Sequence, residues 1–210
     1  MKPIEMLQKH CEFITNYDCY VMLAVSRKKD TPEITNSQEI VFRETIKNER
    51  DIIRKYNKIK AQITNYKDEN SKSFPFYLYV SLNRRDAKKA FFILSKQMLG
   101  WIEEETNGID RSKMMKKIDG YFYSALMKED AKSTGQKYFF IDFDEKELKD
   151  FDKWLENKGV EIIMLIKSRN GWHIKTKPFD RRLLEDLKDT YDFEIKTDAN
   201  LFVEYVEKQK

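Results

Sequence analysis

The stretch "YFFIDFDEK", residues 138–146, decides how the second half of this chain is read. It sets Asp142 and Asp144 inside a run that is otherwise aromatic and aliphatic. An extended backbone sends alternate side chains to opposite faces, so both carboxylates emerge together while Ile141 and Phe143 emerge on the other side. Like charges on neighbouring same-face positions repel, and a half-buried carboxylate is costly without a partner. A divalent cation, a pair of Lys or Arg side chains, or open solvent would answer that need.

Downstream of this stretch the chain is orderly. A helix is expected at 146–157, ended by Gly159 as helices commonly are. "EIIMLIK" (161–167) reads as a central strand and "GWHIKTK" (171–177) as its partner, with a helix at 181–190 and closing strands in "FEIKT" and "LFVEYVE". The first half is richer in helix. Residues 4–17 carry apolar positions at helical spacing, and "CYVMLAV" (19–25) reads as a buried strand followed by the polar loop "SRKKDTPEITNS". A long helix is expected over 37–66, with Ile52, Tyr56, Ile59, Ile63 and Tyr66 forming one stripe. "KDENSKS" is a polar break before the strand at 74–82, and an amphipathic helix follows with Ala87, Ala90, Phe91, Leu94 and Met98 on one side. After Gly108 a second, shorter helical stretch leads to the turn "STGQ" (133–136). The pattern is α+β. Two lobes around a cleft are expected, a helix-rich α/β module over 1–132 and a strand-rich module over 133–210.

Composition narrows the function classes. Charged residues make up 36% of the 210 residues, above the usual share of about a quarter, yet the net charge is only +4. Nucleic-acid binding is permitted but would have to come from local clustering. The two cysteines, Cys11 and Cys19, make no disulfide framework, so a reducing cytoplasm is the expected setting. With His10 and His173 as the only histidines, no convincing zinc site assembles. No apolar run approaches the length of a membrane span, and no membrane partner is expected.

Four segments carry chemistry. Asp142 and Asp144 form a ready partial ligand set for Mg²⁺ or Mn²⁺, or alternatively a solvated strand end. "IKSRNGWHIKTKPF" (166–179) reads as a hairpin, since Asn and Gly accept positive φ. Its Ser168, Arg169, Gly171, His173, Lys175 and Lys177 can hold a polyphosphate, with Gly171 letting a backbone come close to a ligand; the plainer alternative is a basic hairpin exterior. Glu194, flanked by Phe193 and Ile195, and Asp198 in the following turn are both candidates for a third metal carboxylate. Finally, "SLNRRDAKKA" leads from a strand into a helix start, where Asn83, Arg84, Arg85 and Lys88 suit phosphate contact. Arg111, Lys113, Lys116 and Lys117 form a second basic spot; a solvated helix face explains either. Tyr77, Tyr79, Tyr121 and Tyr123 can stack bases or build core.

Taken in order, the apolar-framed Asp142-Phe143-Asp144, the Ser168…His173 hairpin and a later acid on a strand resemble the archaeo-eukaryotic primase superfamily, in its small primase or primase-polymerase type. The resemblance covers about the last third of the chain. It implies an RRM-like palm joined to an α/β N-terminal module, and template-directed nucleotidyl transfer with Mg²⁺ or Mn²⁺. It further implies that Asp142 and Asp144 carry metal with Glu194 or Asp198, while Ser168, Arg169 and His173 hold the triphosphate, Lys175 and Lys177 less directly. A single-stranded DNA template, NTPs or dNTPs, and a separate helicase or replicative polymerase are the implied partners. A metal-dependent nuclease using Asp142, Asp144 and Glu194, a non-catalytic single-strand-binding module and a sugar-nucleotide transferase are the alternatives.

Overall fold

The computed structural model describes residues 1–28, 34, 39–68, 70, 72–135 and 137–207. Most of the polar loop expected at 26–37 lies outside the described residues, as do the first positions of the helix expected at 37–66 and parts of the 67–73 break and the 133–136 turn. The chain is α+β. One sheet has the strand order β2 (Ile40–Ile46), β1 (Asp18–Ser26), β3 (Phe76–Ser81), β9 (Asn200–Val206), with the two-residue β4 (Arg85–Asp86) against β1; the other has the order β6 (Ile162–Lys167), β7 (Trp172–Thr176), β5 (Phe139–Phe143), β8 (Phe193–Lys196). Two compact units interleave along the chain: Met1–Met22, Phe42–Asn65 and Arg84–Thr134 in one, Leu23–Val41, Tyr66–Asn83 and Gly135–Lys210 in the other. Among the described residues, no helix is long and apolar enough to cross a membrane.

In the first unit, helix α1 (Pro3–His10) ends sooner than the apolar spacing suggests. The Asp18 carboxylate accepts the N–H groups of Ile14 and Thr15 at 2.8 Å each, which holds that segment in a turn before β1 (Asp18–Ser26). The long helix expected over 37–66 is instead β2 (Ile40–Ile46) followed by α2 (Glu49–Asn65). Ile40, Val41, Phe42, Thr45 and Ile46 favour extended backbone, and the Asn48 side chain accepts the Asp51 N–H at 3.0 Å, starting the helix there. Of the expected stripe, Ile52, Ile59 and Ile63 are buried, Tyr56 is half-buried and Tyr66 lies just past the end of α2. After β4 (Arg85–Asp86), Asp86 caps α3 (Ala87–Thr106) by accepting from the N–H groups of Lys88 and Lys89. Ala90 and Leu94 face inward as expected, but Phe91 is 62% exposed. Trp101 takes the buried side instead, meeting Tyr121 of α5 (Ile118–Leu126) edge-on at 4.6 Å, after the short α4 (Ser112–Met115).

The second unit contains β3 (Phe76–Ser81) paired antiparallel with β9 (Asn200–Val206), and the four-stranded sheet. That sheet is built from β5 (Phe139–Phe143), β6 (Ile162–Lys167), β7 (Trp172–Thr176) and β8 (Phe193–Lys196), all antiparallel. Helix α6 (Phe151–Asn157) starts later than expected because Lys149 and Asp150 have positive φ, 45° and 65°. It ends as expected: Gly159, at φ 78°, donates to Glu156 O, and Val160 donates back to Leu155 O. The helix expected at 181–190 is a 3₁₀ segment, Arg181–Leu187. One face of the sheet carries Ile141, Phe143, Ile174, Phe193 and Ile195, packed with Phe151 and Leu155 of α6 and with Leu184 and Leu187. The Phe143 and Phe151 rings stack at 4.4 Å. Each such side chain contributes about 1.5–3 kcal/mol on burial, so the apolar half of "FIDF" locks the strand's facing. The carboxylates have no choice but the opposite face.

Candidate functional site

The register of the sheet brings together residues that the sequence keeps far apart. Asp142 on β5 is the direct partner of His173 on β7 and of Glu194 on β8. One row across the sheet therefore reads His173, Asp142, Glu194. The next row on the same face reads Lys175, Phe140, Lys196. Lys196 is the residue the sequence reading missed. Its Nζ lies 3.2 Å from Asp142 Oδ2 and 2.8 Å from Glu194 Oε2, so it answers part of the charge problem posed by the acidic strand. Burial works against the Lys196 charge, but its hydrogen bonds to Glu194 and Asp142 outweigh that and raise its pKa. The signal was present in the "FEIK" alternation, which puts Lys196 on Glu194's face.

His173 is 9% exposed, with its ring edge-on to Phe140. Its Nδ1 accepts the Phe202 N–H at 3.0 Å, which leaves the ring proton on Nε2, 3.5 Å from Asp142 Oδ1. Burial pushes its pKa down to about 4, with Asp142 pulling the other way and Lys196 adding to the depression. The imidazole is thus a neutral Nε2–H donor at neutral pH. Asp144, at the exposed end of β5, is raised above the usual carboxylate range by burial, then by Asp142 and Asp192, with Lys196 opposing.

The hairpin tip completes one wall. Ser168 N–H donates to Gly171 O, and Ser168 Oγ accepts the Gly171 N–H at 3.1 Å. Neither Asn170 nor Gly171 has positive φ, contrary to the turn chemistry read from "RNG". Gly171 is required for another reason. A Cβ there would lie 1.9 Å from Phe143 O and 3.0 Å from Asp144 Cα, so the close backbone is that of β5 and not of a ligand. Arg169 donates to the Tyr77 hydroxyl, and its guanidinium lies over the rings of Tyr77 and Tyr205. Asp142, Asp144, Ser168, Arg169 and His173 share a cavity of about 150 Å³ with Arg27, Tyr77, Tyr79 and Phe202.

Other expected site residues lie elsewhere. Lys175 is fully buried, its Nζ 3.6 Å from the centre of the Tyr138 ring, and Lys177 is exposed and paired with Glu161 at 2.8 Å. Neither lines the cavity. Asp198 sits in the link between β8 and β9, off the acidic row. Glu194, though opposite Asp142, lines a separate cavity with Arg181, Arg182 and Lys188. The expected template contacts are mostly interior. Asn83 is 3% exposed and bonds Tyr138 N–H, Tyr138 O and Thr197 O. Arg84 and Arg85 are also buried, Arg84 lying 3.6 Å from Asp18, and the α3 N-terminus is taken by Asp86. Lys88 is exposed, near the Tyr17 ring. Arg111 pairs with Glu104, and Tyr123 donates to Arg43 O.

Among the described residues, no group of three or more His, Cys, Asp or Glu side chains is arranged to hold a metal ion by itself. The carboxylate pair still suits Mg²⁺ or Mn²⁺, because such ions keep several waters and take one or two carboxylates together with substrate phosphates. No known protein family matches the chain, and no curated protein matches it.

Proposed function

We propose that this chain is a small primase or primase-polymerase of the archaeo-eukaryotic type, a template-directed nucleotidyltransferase working with Mg²⁺ or Mn²⁺ on single-stranded DNA in the cytoplasm. The observation that carries this reading is the register that sets His173 and Glu194 on either side of Asp142, with His173, Asp142, Asp144 and the Ser168–Arg169 tip lining one cavity. The sheet order adds support. β5 and β6 flank β7 and are joined through α6, while β7 and β8 flank β5 and are joined through the 3₁₀ segment. Two interleaved split crossovers, one through an α-helix and one through a 3₁₀ segment, are the connectivity that an RRM-like palm would need.

Asp142 and Asp144 would hold the metal, with Glu194, as Asp142's cross-strand partner, a better third carboxylate than Asp198. When bound, the ion neutralises polyphosphate charge and activates the attacking hydroxyl. Ser168, Arg169 and the His173 Nε2–H orient the triphosphate as donors, and the neutrality of His173 lets it donate without competing as a cation for Asp142. Lys196, bonded to both Asp142 and Glu194, offsets the repulsion between these two carboxylates where no ion is bound.

The test is a gel carrying labelled single-stranded template and labelled NTPs or dNTPs, with each metal. Template-dependent oligomers support the proposal. Template cleavage without synthesis would replace it with the nuclease reading, which uses the same carboxylates.

A further inference from the structure

Strand β3 has two unlike faces. Phe76, Leu78 and Val80 are at most 1% exposed, whereas Tyr77 and Tyr79 project the other way. β9 continues the second face, with Phe202 opposite Tyr79 and Tyr205 opposite Tyr77. The Tyr77 and Tyr79 rings are 6.5 Å apart and within 24° of parallel, and Phe202 stands edge-on to Tyr79 at 6.0 Å. Two guanidinium groups overlie this surface, Arg27 above Tyr79 and Arg169 above Tyr77, each at 6.0 Å. The wall borders the same cavity as Asp142 and Asp144. Tyr79 and Phe202 are only half-buried and line the cavity together with the buried Tyr77, with guanidinium groups over the two tyrosines and the carboxylate pair on the same lining.

We infer that this wall is a nucleobase subsite, in which Tyr79 stacks the planar base of a nucleotide and Phe202, standing edge-on to Tyr79, meets the base's rim, while Arg27 and Arg169 meet its phosphates. The inference deepens the proposed function and rests on that reading for its substrate class. Its chemistry is specific: a flat π-system joined to a polyanion, matched by aromatic faces interleaved with guanidinium groups. Stacking tolerates any base, so the subsite favours nucleotides over inorganic polyphosphate without choosing among them. Tyr77 acts here as a positioning residue, holding Arg169 through its hydroxyl and ring.

The experiment is calorimetric titration of the full chain with ATP, inorganic tripolyphosphate, oligo(dT) and an abasic oligomer of equal length. Wild type is compared with Tyr79→Leu, Tyr79→Phe and Phe202→Leu. Tyr79→Leu is expected to weaken base-containing ligands by about 5- to 100-fold, while the base-free ligands change by less than about 2-fold and Tyr79→Phe keeps wild-type affinity. Loss confined to ATP assigns the subsite to the incoming nucleotide; loss confined to oligo(dT) assigns it to the strand. Phe202→Leu carries the same test if Tyr79→Leu does not fold. Equal weakening of ATP and tripolyphosphate, no weakening at all, or a wild type that binds neither ATP nor oligo(dT) overturns the inference. Failure of the polymerase reading is seen separately. A protein that makes no product yet shows base-selective, Tyr79-dependent binding keeps the subsite and loses polymerisation. One that makes product with Tyr79→Leu binding intact does the reverse.

Discussion

Asp142 and His173 are direct partners across β5 and β7, with Nε2 of the imidazole 3.5 Å from the carboxylate and Nδ1 occupied by the Phe202 N–H. The Phe202 N–H thereby fixes the tautomer of the histidine, and the sheet register sets its Nε2 beside Asp142. This also ties the acidic strand to β9 through one side chain.

That arrangement has a pH signature. The His173 pKa falls from 6.5 to about 4 on folding, so the unfolded chain binds the proton more tightly than the folded one. The associated stability is fully present above pH 6.5 and is lost as pH falls through the window down to about 4. A shift of this size corresponds to a loss on the order of 3 kcal/mol over that window. Urea unfolding in EDTA at stepped pH checks this: wild type should show the slope and His173→Gln should lack it. Parallel profiles for the two proteins would refute the assignment.

Lys196 bridges Asp142 and Glu194 and occupies the position a metal would contest. Lys196→Met is expected to lower stability by about 0.5–1 kcal/mol, since the pair is partly solvated. The same change should tighten Mn²⁺ binding several-fold, because the carboxylates lose their internal cation. Calorimetric Mn²⁺ titration of both proteins decides it, and unchanged or weaker binding in the variant would mean that Lys196 does not compete.

Gly171 is where the hairpin meets the end of β5. Gly171→Ala forces a methyl against the Phe143 carbonyl and should cost about 1–3 kcal/mol, as overpacking against a backbone that cannot yield freely does. Because the same contact reaches Asp144 Cα, Mn²⁺ affinity should fall as well. An alanine variant of wild-type stability would show that the two backbones are not in contact in solution.

Asn83 and Lys88 separate structure from surface. Asn83→Ala removes three interior hydrogen bonds, to the N–H and O of Tyr138 and to Thr197 O, and should destabilise by about 2–3 kcal/mol. Lys88→Ala, on an exposed first helical turn, should fall within about 0.5 kcal/mol of wild type. Thermal unfolding of the two variants gives the comparison, and a neutral Asn83→Ala would return that residue to the list of template contacts.

The sequence makes the parts of this site legible more readily than their assembly. Alternation in "FFIDF" foretold that Asp142 lies on the face away from the buried Ile141 and Phe143, and Ile52, Ile59 and Ile63 of the helical stripe are buried as their spacing requires. The row His173–Asp142–Glu194 was out of reach, because strand order and register depend on how distant segments pair. Arg84 and Arg85 misled for a physical reason: adjacent arginines at a strand end usually reach solvent, and here both are interior. β2 was hidden inside a helical pattern because "IVFRETI" can satisfy either period until Asn48 marks the true helix start. Lys196 followed from alternation on β8 but gains meaning only once β8 lies beside β5.

The most direct measurement of the central claim is product formation on a single-stranded DNA template by wild type and by the Asp142→Asn/Asp144→Asn double variant. Both proteins would first be shown folded by circular dichroism, then supplied with labelled nucleotides and Mg²⁺ or Mn²⁺. Metal-dependent oligomers from wild type that drop below detection in the double variant are the predicted result. Equal synthesis by the two proteins, or none from folded wild type with or without a primer, would contradict it.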